Sequence, residues 1–530
     1  MRFFRLFTGL LVLACLWSAA ASRVPGRPRV SGRAEKVKAE KLLEDIRYLT
    51  SAALTGRSTG SPGLNKAAIF IAGEFSRAGL KAGGDAGYYQ SFPVTLNARS
   101  ASQSWMKWTV QGRTEPLEPG SDFEPYAFSS SAPVTGRVVF AGYGITACEY
   151  GYDDYEGLDV RNKIVLILRH EPQEYDTSSS FEGRIYTEHS QLYRKLLNAK
   201  AHGASAVLLV NDIANHTGAD SLERLTALPS PGGAGIPFVG IRSSVVEQWF
   251  TDAGRSFSES QKEIDRTGSP DSFEFPEIFA ELATPLQSET RYVSNVVGVL
   301  PGTSEEYVVV GAHYDHLGGG EQFSLAPEKT GTLHPGADDN ASGTAAVISI
   351  ARTLAAQPPM KRGVVFVAFA GEEIGLVGST WFTAFPKLPL HNAVAMINMD
   401  MIGRVKEQTL IVGGVDSGTE LRQVLETAAK SYPFTLQTGT QAVYGSSDHT
   451  AFTAHSVPSL FFFTGLHADY HRPTDTADKI NIKSTGLIAD LVAEVTMTLA
   501  ERVDRPVFRR RSDRTCSSQK FSHTVAGAGR

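Results

Sequence analysis

His313, Asp339, Glu373, Asp400 and His471 supply two imidazoles and three carboxylates, each at the edge of an apolar run in "YVVVGAHYDH", "PGADDNASG", "VVFVAFAGEEIG", "AVAMINMDMIG" or "SLFFFTGLHADYH". A mixed nitrogen and oxygen donor set of this kind suits zinc. Five groups are enough for two metals that share one carboxylate, and Asp339 is the natural bridge. Two dications compensate the charge that makes neighbouring acids such as Asp338 and Asp339 costly in a partly buried cleft. Asp338 then needs only an outer contact or solvent. The competing reading of "PGADDNASG" is a capped surface helix, since a helix N-terminus favours acids by roughly 0.3–1 kcal/mol.

Each residue has an ordinary reading on its own. His313 can be a hydrogen-bonded histidine at a strand end, although Asp315, two residues on, is placed to orient its second ring nitrogen, as metal-bound histidines require. Glu372 and Glu373 can be the first turn of a helix, but adjacent side chains diverge, so one can bind metal while the other addresses an attacking water. Asp400 can be a turn aspartate and His471 a loop histidine. What unites them is position, because all five fall at strand ends of one sheet. No Ser or Cys nucleophile is required, and "GSS", Gly445 to Ser447, reads as a small-residue loop.

From Val293 onward short apolar runs of strand length alternate with helical segments, which implies an α/β domain with a mostly parallel sheet flanked by helices. Ligands of such sheets sit outside the carboxyl ends of the strands. Upstream, "AEKLLEDIRYLTS" places Leu42, Leu43, Ile46 and Leu49 at helical spacing, and "KAAIFIAGEFSRAGL" is a second amphipathic helix closed by Gly79. From about Pro133 the pattern changes to β-rich runs, "GRVVFAGYG" and "NKIVLILRH", followed by helix, glycine turn and strand in "LYRKLLNAKAHGASAVLLVND". This second unit ends at "SESQKEIDRTGSPDSFEFPEI", a polar, Pro-broken crossing back to the first domain. The expected organisation is a leader at 1–21, a first domain split into 34–132 and 273–505, an insert at 133–272, and a disordered basic tail at 506–530.

A chain of 530 residues is too long for one ordinary core, and its 42% hydrophobic and 20% charged residues are those of a globular protein. The formal net charge of −5 gives no general pull toward nucleic acid or anionic membranes, and neither is expected as a partner. Arg2 and Arg5, an apolar run, and Ala19 to Ala21 before Ser22 form a secretory leader too short to span a membrane, so no transmembrane span is expected in the mature chain. Secreted or periplasmic placement follows. "VLAC", ending at Cys15, is a weaker lipoprotein-type alternative because Leu13 is bulky. Cys148 and Cys516 are then too few for a disulfide framework and are expected as free thiols. The "RRRSDR" tail reads as a solvated terminus, and the acidic turn Tyr152 to Asp159 as a solvated loop rather than a calcium site. "NHT" at Asn215 is a better glycosylation acceptor than "NAS" at Asn340, which abuts the bridge. Nothing in the sequence specifies an oligomeric state.

In this order, "GAHYDH", "GADDNASG", "GEEIG", "NMDMIG" and "YHRPTDT" closely resemble the co-catalytic zinc exopeptidases of the M28 peptidase family, secreted aminopeptidases among them. The resemblance covers about Val293 to Ile482, with a weaker echo in "RYLTSAALTGRSTGSPG". It implies the zinc exopeptidase fold and two Zn2+ per chain, with His313 and Asp400 on one ion, Glu373 and His471 on the other, and Asp339 bridging. Glu372 would be the general base, activating a water that bridges the metals. Tyr470 would donate a hydrogen bond to the oxyanion, a core-packed ring being the alternative. The segment around Asp448 and His449 also looks like the family's, with no ligand assigned. The insert resembles a protease-associated domain. The implied activity is that of an aminopeptidase on peptide substrates; a carboxypeptidase of the same family, a one-zinc glutaminyl cyclase and an inactive binding protein are the alternatives.

Overall fold

The computed structural model describes residues 37–509 apart from 148–149, 177, 182–186, 217–219, 221, 223–234, 322 and 439–446. The leader with Cys15, Cys148, Cys516, the "RRRSDR" tail beyond Arg509, and Gly445 and Ser446 lie outside the described residues. No helix among the described residues is long and apolar enough to cross a membrane.

Helix α1 (Ala39–Leu49) buries Leu42, Ile46 and Leu49 as its spacing requires. Helix α2 (Pro62–Arg77) starts at Ser61, whose side chain accepts from the Leu64 amide, and Gly79 follows it at φ +82. Two strands come next, β1 (Lys81–Ala82) and β2 (Tyr89–Ser100).

The chain then enters a second sheet. Its elements are β3 (Trp105–Val110), β4 (Arg113–Leu117), β5 (Phe123–Pro125), β6 (Val134–Phe140), a small hairpin of β7 (Thr146–Ala147) and β8 (Tyr152–Asp153), β9 (Ile164–Leu168), α3 (Leu192–Ala201), β10 (Ala206–Val210), β11 (Phe238–Ile241), α4 (Ser243–Asp252), α5 (Phe257–Thr267) and β12 (Phe273–Ala283). The strand order is β4-β3-β12-β6-β9-β10-β11-β5, with β6, β9, β10 and β11 parallel. Trp249, Phe250, Phe257 and Ile264 from α4 and α5 pack on one face, and Leu196 and Ala199 from α3 on the other. In the acidic turn, Asp159 is exposed and pairs with Arg161, whereas Asp154 is buried and accepts from the Ile145 amide and the Tyr152 hydroxyl.

This sheet extends past 133–272 at both ends, because β3, β4 and β5 precede that interval and β12 follows it. The Pro-broken stretch is not the crossing. Residues 257–267 form α5, capped by Ser256 and ended by left-handed Gly268, and Pro276 sits inside β12 where the register with β6 shifts between Glu274 and Phe279. A bulge is where a strand tolerates proline. The return to the first domain comes at Thr284 and Pro285, where the Ala101 amide donates to the Pro285 carbonyl at 2.9 Å.

The main sheet continues with β13 (Leu286–Leu300), β14 (Tyr307–His313), α6 (Gly343–Ala355), β15 (Gly363–Phe369), α7 (Val377–Ala384), β16 (Ala393–Met399), β17 (Thr409–Gly413), α8 (Leu421–Ala429), β18 (Thr435–Thr438), α9 (His449–Ala454), β19 (Ser459–Phe463) and α10 (Ile482–Glu501). Its order is β1-β13-β15-β14-β16-β19-β17-β18, with β2 also on β13. The central strands β15, β14, β16 and β19 are parallel, β13 pairs antiparallel with its neighbours, and β17 runs antiparallel to β19 but parallel to β18. Every residue of β14, β15 and β16 is buried, so these strands read as continuous apolar runs. Val308, Val310, Val364 and Phe366 join the core that holds α1, α2, α6, α8 and α10, while Val309, Val365, Val367 and Phe369 meet Phe382 of α7 and Phe452 of α9. Helices therefore cover both faces, and His313 and Asp400 stand at the same rim.

Because Leu286 of β13 pairs with Ser100 of β2, the insert leaves and returns at neighbouring points of one ladder. Joining Ser100 to Leu286 through a short glycine linker should give a soluble α/β domain by size-exclusion chromatography and circular dichroism. Excising 133–272 instead takes β6 from β12 and β11 from β5, leaves the remnant β4-β3-β12 with an unpaired edge, and should send the chain to the aggregate fraction.

Candidate active site

His313 ends β14, and its Nδ1 donates to the Asp315 carbonyl at 3.2 Å. That leaves Nε2 facing Asp400 Oδ1 at 3.2 Å and Asp339 Oδ1 at 3.3 Å. His471 is held in the same way, with Nδ1 donating to the Phe323 carbonyl at 2.8 Å. Its Nε2 faces Asp339 Oδ2 at 3.2 Å and Glu373 Oε2 at 3.1 Å. The two oxygens of Asp339 thus each address a different imidazole. Glu372 Oε2 lies 3.9 Å from His313 Nε2, beside the same group.

These separations match the edge of a tetrahedron around zinc, roughly 3.3 Å for metal–donor bonds of about 2.0–2.1 Å. The electrostatics agree. Burial works against a charged His313, but Asp400, Glu372 and Asp339 outweigh it and raise the imidazole well above its ordinary value. His471 is raised likewise against burial, by Glu373 and Asp339. Each imidazole proton stands where a cation is wanted, so a dication in its place satisfies the same carboxylates. The donor set fits two zinc ions.

The profile of Peptidase family M28 matches residues 295–496, and that of the PA domain matches residues 134–249. Aminopeptidase YwaD of Bacillus subtilis is 27% identical over 405 residues, covering 73% of this chain and 73% of that protein. A probable leucine aminopeptidase of Arthroderma otae is 31% identical over 198 residues, 35% of this chain and 52% of that protein. An aminopeptidase from Aneurinibacillus sp. strain AM-1 shares the fold at a TM-score of 0.53 and 22% identity, covering 90% of this chain and 97% of that one. Residues 295–496 carry a peptidase family M28 domain.

In this M28 domain the turn "PGADDNASG" is not a solvated helix start. Asp338 and Asp339 are buried, Asp339 has non-helical dihedrals, and regular helix begins only at Gly343. Asp338 does not face solvent: its Oδ1 accepts from the Gly403 amide at 2.6 Å and Ser342 Oγ at 3.0 Å, and its Oδ2 accepts from His467 Nε2 at 3.1 Å. Asn340 is also fully buried, its amide group bonded to the Met399 carbonyl and the Gly343 amide, which leaves no room for a glycan.

Asp315 has a different job from the one its spacing suggests. Its backbone carbonyl, not its carboxylate, takes His313 Nδ1; the carboxylate stands 3.8 Å from that nitrogen. It accepts instead from the Glu372 amide at 3.1 Å, the Glu373 amide at 3.4 Å and Thr59 Oγ1 at 2.8 Å, pinning the turn that carries both glutamates. Glu372 is pushed well above the usual carboxyl range by burial and then by Asp400, Glu373 and Asp448, against His313. Burial also acts to raise Glu373, yet His471 and His316 win and hold it at about 2. Two adjacent glutamates therefore have opposite proton affinities.

Several supporting residues escaped the sequence reading although they lie inside or beside its motifs. His316, in "GAHYDH", donates Nδ1 to Glu373 Oε1 at 2.6 Å. Ser447 donates to Asp400 Oδ2 at 2.8 Å. Asp475, in "YHRPTDT", accepts the amides of Asp338 and Asp339 at 2.9 and 3.1 Å. Arg57, fully buried, donates to the carbonyls of Tyr314, Leu49, Pro335 and Gly336, tying the N-terminal segment to both metal-site loops. The approach is so close that a Cβ on Gly56 would meet the Gly318 carbonyl. Asp448, beside Ser379, is buried and pushed to about 7 by desolvation, and His449 stacks on Phe461; neither belongs to the metal-binding groups. The Tyr470 ring stacks on His471 with centroids 3.9 Å apart, and burial, then Asp339 and Glu373, keep its hydroxyl protonated.

Asp475→Ala removes the acceptor that holds the Asp339 backbone, so zinc affinity should fall about 10- to 100-fold in a chelator competition. Asp478→Ala, on an exposed position nearby, should leave it unchanged.

Proposed function

We propose that the protein is a zinc-dependent aminopeptidase that releases N-terminal residues from unblocked peptides. The observation that carries this reading is the sharing of Asp339 between the two imidazoles, which builds two adjoining sites from one carboxylate. His313, Asp400 and Asp339 would hold one zinc, and His471, Glu373 and Asp339 the other. When bound, the pair supplies Lewis acidity that polarises the scissile carbonyl and acidifies water.

The chain's own groups do the rest. Glu372 ligates nothing in this assignment, and its carboxylate, 3.9 Å from His313 Nε2, stands where a base can take a proton from the attacking water and give it to the leaving amine. Tyr470 donates a hydrogen bond from its hydroxyl to the oxygen that gains charge as the carbonyl carbon becomes tetrahedral. The C–N bond then breaks, one product gaining a carboxylate and the other an amine.

The choice of peptide end rests on charge. A C-terminal carboxylate calls for a convergent arginine or lysine, whereas an N-terminal ammonium calls for carboxylates. Arg404 pairs with Asp469 through Nη2 at 2.9 Å, and Arg57 spends its N–H groups on carbonyls. Carboxylates dominate the rim. The relatives named as aminopeptidases agree with this choice. The leader at residues 1–21 supports placing the activity outside the cytoplasm.

Glu372→Gln should keep zinc near the wild-type level and lower turnover about 100-fold or more; Glu373→Gln should lose zinc as well. Metal analysis beside steady-state rates separates the two, and the reverse pattern would exchange their roles. Acetylating the α-amino group of a peptide should abolish its cleavage, while amidating its C-terminus should leave the rate unchanged. Equal rates on free and acetylated peptides would reject the aminopeptidase reading.

A further inference from the structure

A second mixed cluster of histidine and carboxylate lies in the inserted sheet, away from the five proposed zinc ligands. His170 and Glu174 follow β9, and Asp212 and His216 follow β10. These strands are parallel, with Leu168 opposite Val210, and the Arg169 amide donates to the Val210 carbonyl. The two loops therefore start side by side at the carboxyl ends of their strands, where ligands of parallel sheets gather.

The donor atoms converge. His216 Nε2 is 2.9 Å from both oxygens of Glu174, His170 Nδ1 is 3.6 Å from Glu174 Oε2 and 4.0 Å from Asp212 Oδ2, and the two imidazole centroids are 4.3 Å apart. These edges bracket the roughly 3.3 Å expected around four-coordinate zinc. Glu174 is 4% and Asp212 0% exposed, so both carboxylates have left bulk water. Asp212 is also oriented from behind. Its Oδ1 accepts from the Asn215 amide at 3.0 Å and from Gln261 Nε2, and its Oδ2 accepts from Asn215 Nδ2 at 2.9 Å. Such outer bonds are what fix a ligating carboxylate. Asn215, the residue of the "NHT" acceptor, also donates to Asp265 Oδ2 at 3.1 Å.

We propose that His170, Glu174, Asp212 and His216 form a further metal site, taking one divalent cation of the zinc class and clipping the loop after β9 to the loop after β10. Two imidazoles with two carboxylates select zinc or cobalt over calcium and magnesium, which take all-oxygen shells. All four positions are filled by side chains, which makes the site structural, and it is independent of how the catalytic site is assigned.

The test is metal stoichiometry on the full chain, stripped with chelator, reloaded with Zn2+ and desalted. Wild type should retain three zinc ions per chain, and His216→Ala, a change at a half-exposed side chain, should retain two with activity intact. Asp339→Ala with His471→Ala should empty the catalytic pair and leave one, a count that does not depend on peptidase activity. Co2+ loaded into that double variant should show the intense visible bands of tetrahedral coordination, lost on adding His170→Asn. Two zinc ions in wild type, unchanged by His216→Ala, and none in the double variant would overturn the proposal and reduce the cluster to a His216–Glu174 ion pair. Should His170→Asn fail to fold, the wild-type and double-variant counts still decide.

Discussion

Everything at the active site depends on one carboxylate being shared. Asp339 offers one oxygen to His313 and the other to His471, and these histidines come from opposite ends of the second catalytic segment. Sharing sets the spacing of the two sites and fixes their charge, since one anion serves both. The arrangement is costly without cations, because Asp400, Glu373 and Glu372 crowd the same rim. Much of the surrounding structure serves to hold Asp339 where repulsion would move it: Asp475 takes its amide, Asp338 anchors the same turn to Gly403, and Arg57 takes the carbonyls just upstream.

The sheet makes that holding possible. Three strands buried on both faces cannot shift without opening the core, so residues at their ends inherit a fixed frame. The histidines use backbone carbonyls to set their rings, which frees nearby carboxylates for other work. Asp315 is the clearest case, spending its charge on the turn of Glu372 and Glu373. One residue thereby links the orientation of a proposed ligand to the position of the proposed base.

Much of this was legible because the central strands are fully buried and end abruptly in ionisable residues, so an apolar run marks both the strand and its functional tip. The inserted sheet was read less well at its margins. Its outer strands β3, β4 and β12 are partly exposed, which weakens the apolar signal, and Pro276 reads as a break although it occupies a bulge. The parts of the site that escaped notice, Arg57 and Thr59, act across 256 to 279 residues, a distance over which no local pattern carries information. His316 and Asp475 sat inside quoted motifs, but only geometry distinguishes a residue that grips a ligand from one that happens to be near it. The exchange of tasks between the Asp315 carbonyl and its carboxylate is of the same kind.

The pairing of β2 with β13 also dictates an order of events during synthesis. Gln90 and Asn295 lie 205 residues apart yet bond to each other across that ladder. At about 5–20 residues per second the ribosome takes roughly 10–40 s to deliver the second strand after the first. The inserted sheet is complete within that interval, since β3 through β12 are contiguous in the chain. All of its strands are therefore made while β2 still waits for a partner. The main sheet can close its β2–β13 ladder only after every strand of the insert has been made, so a lesion that keeps the two ends of the insert apart would be felt first as a delay in building the catalytic sheet.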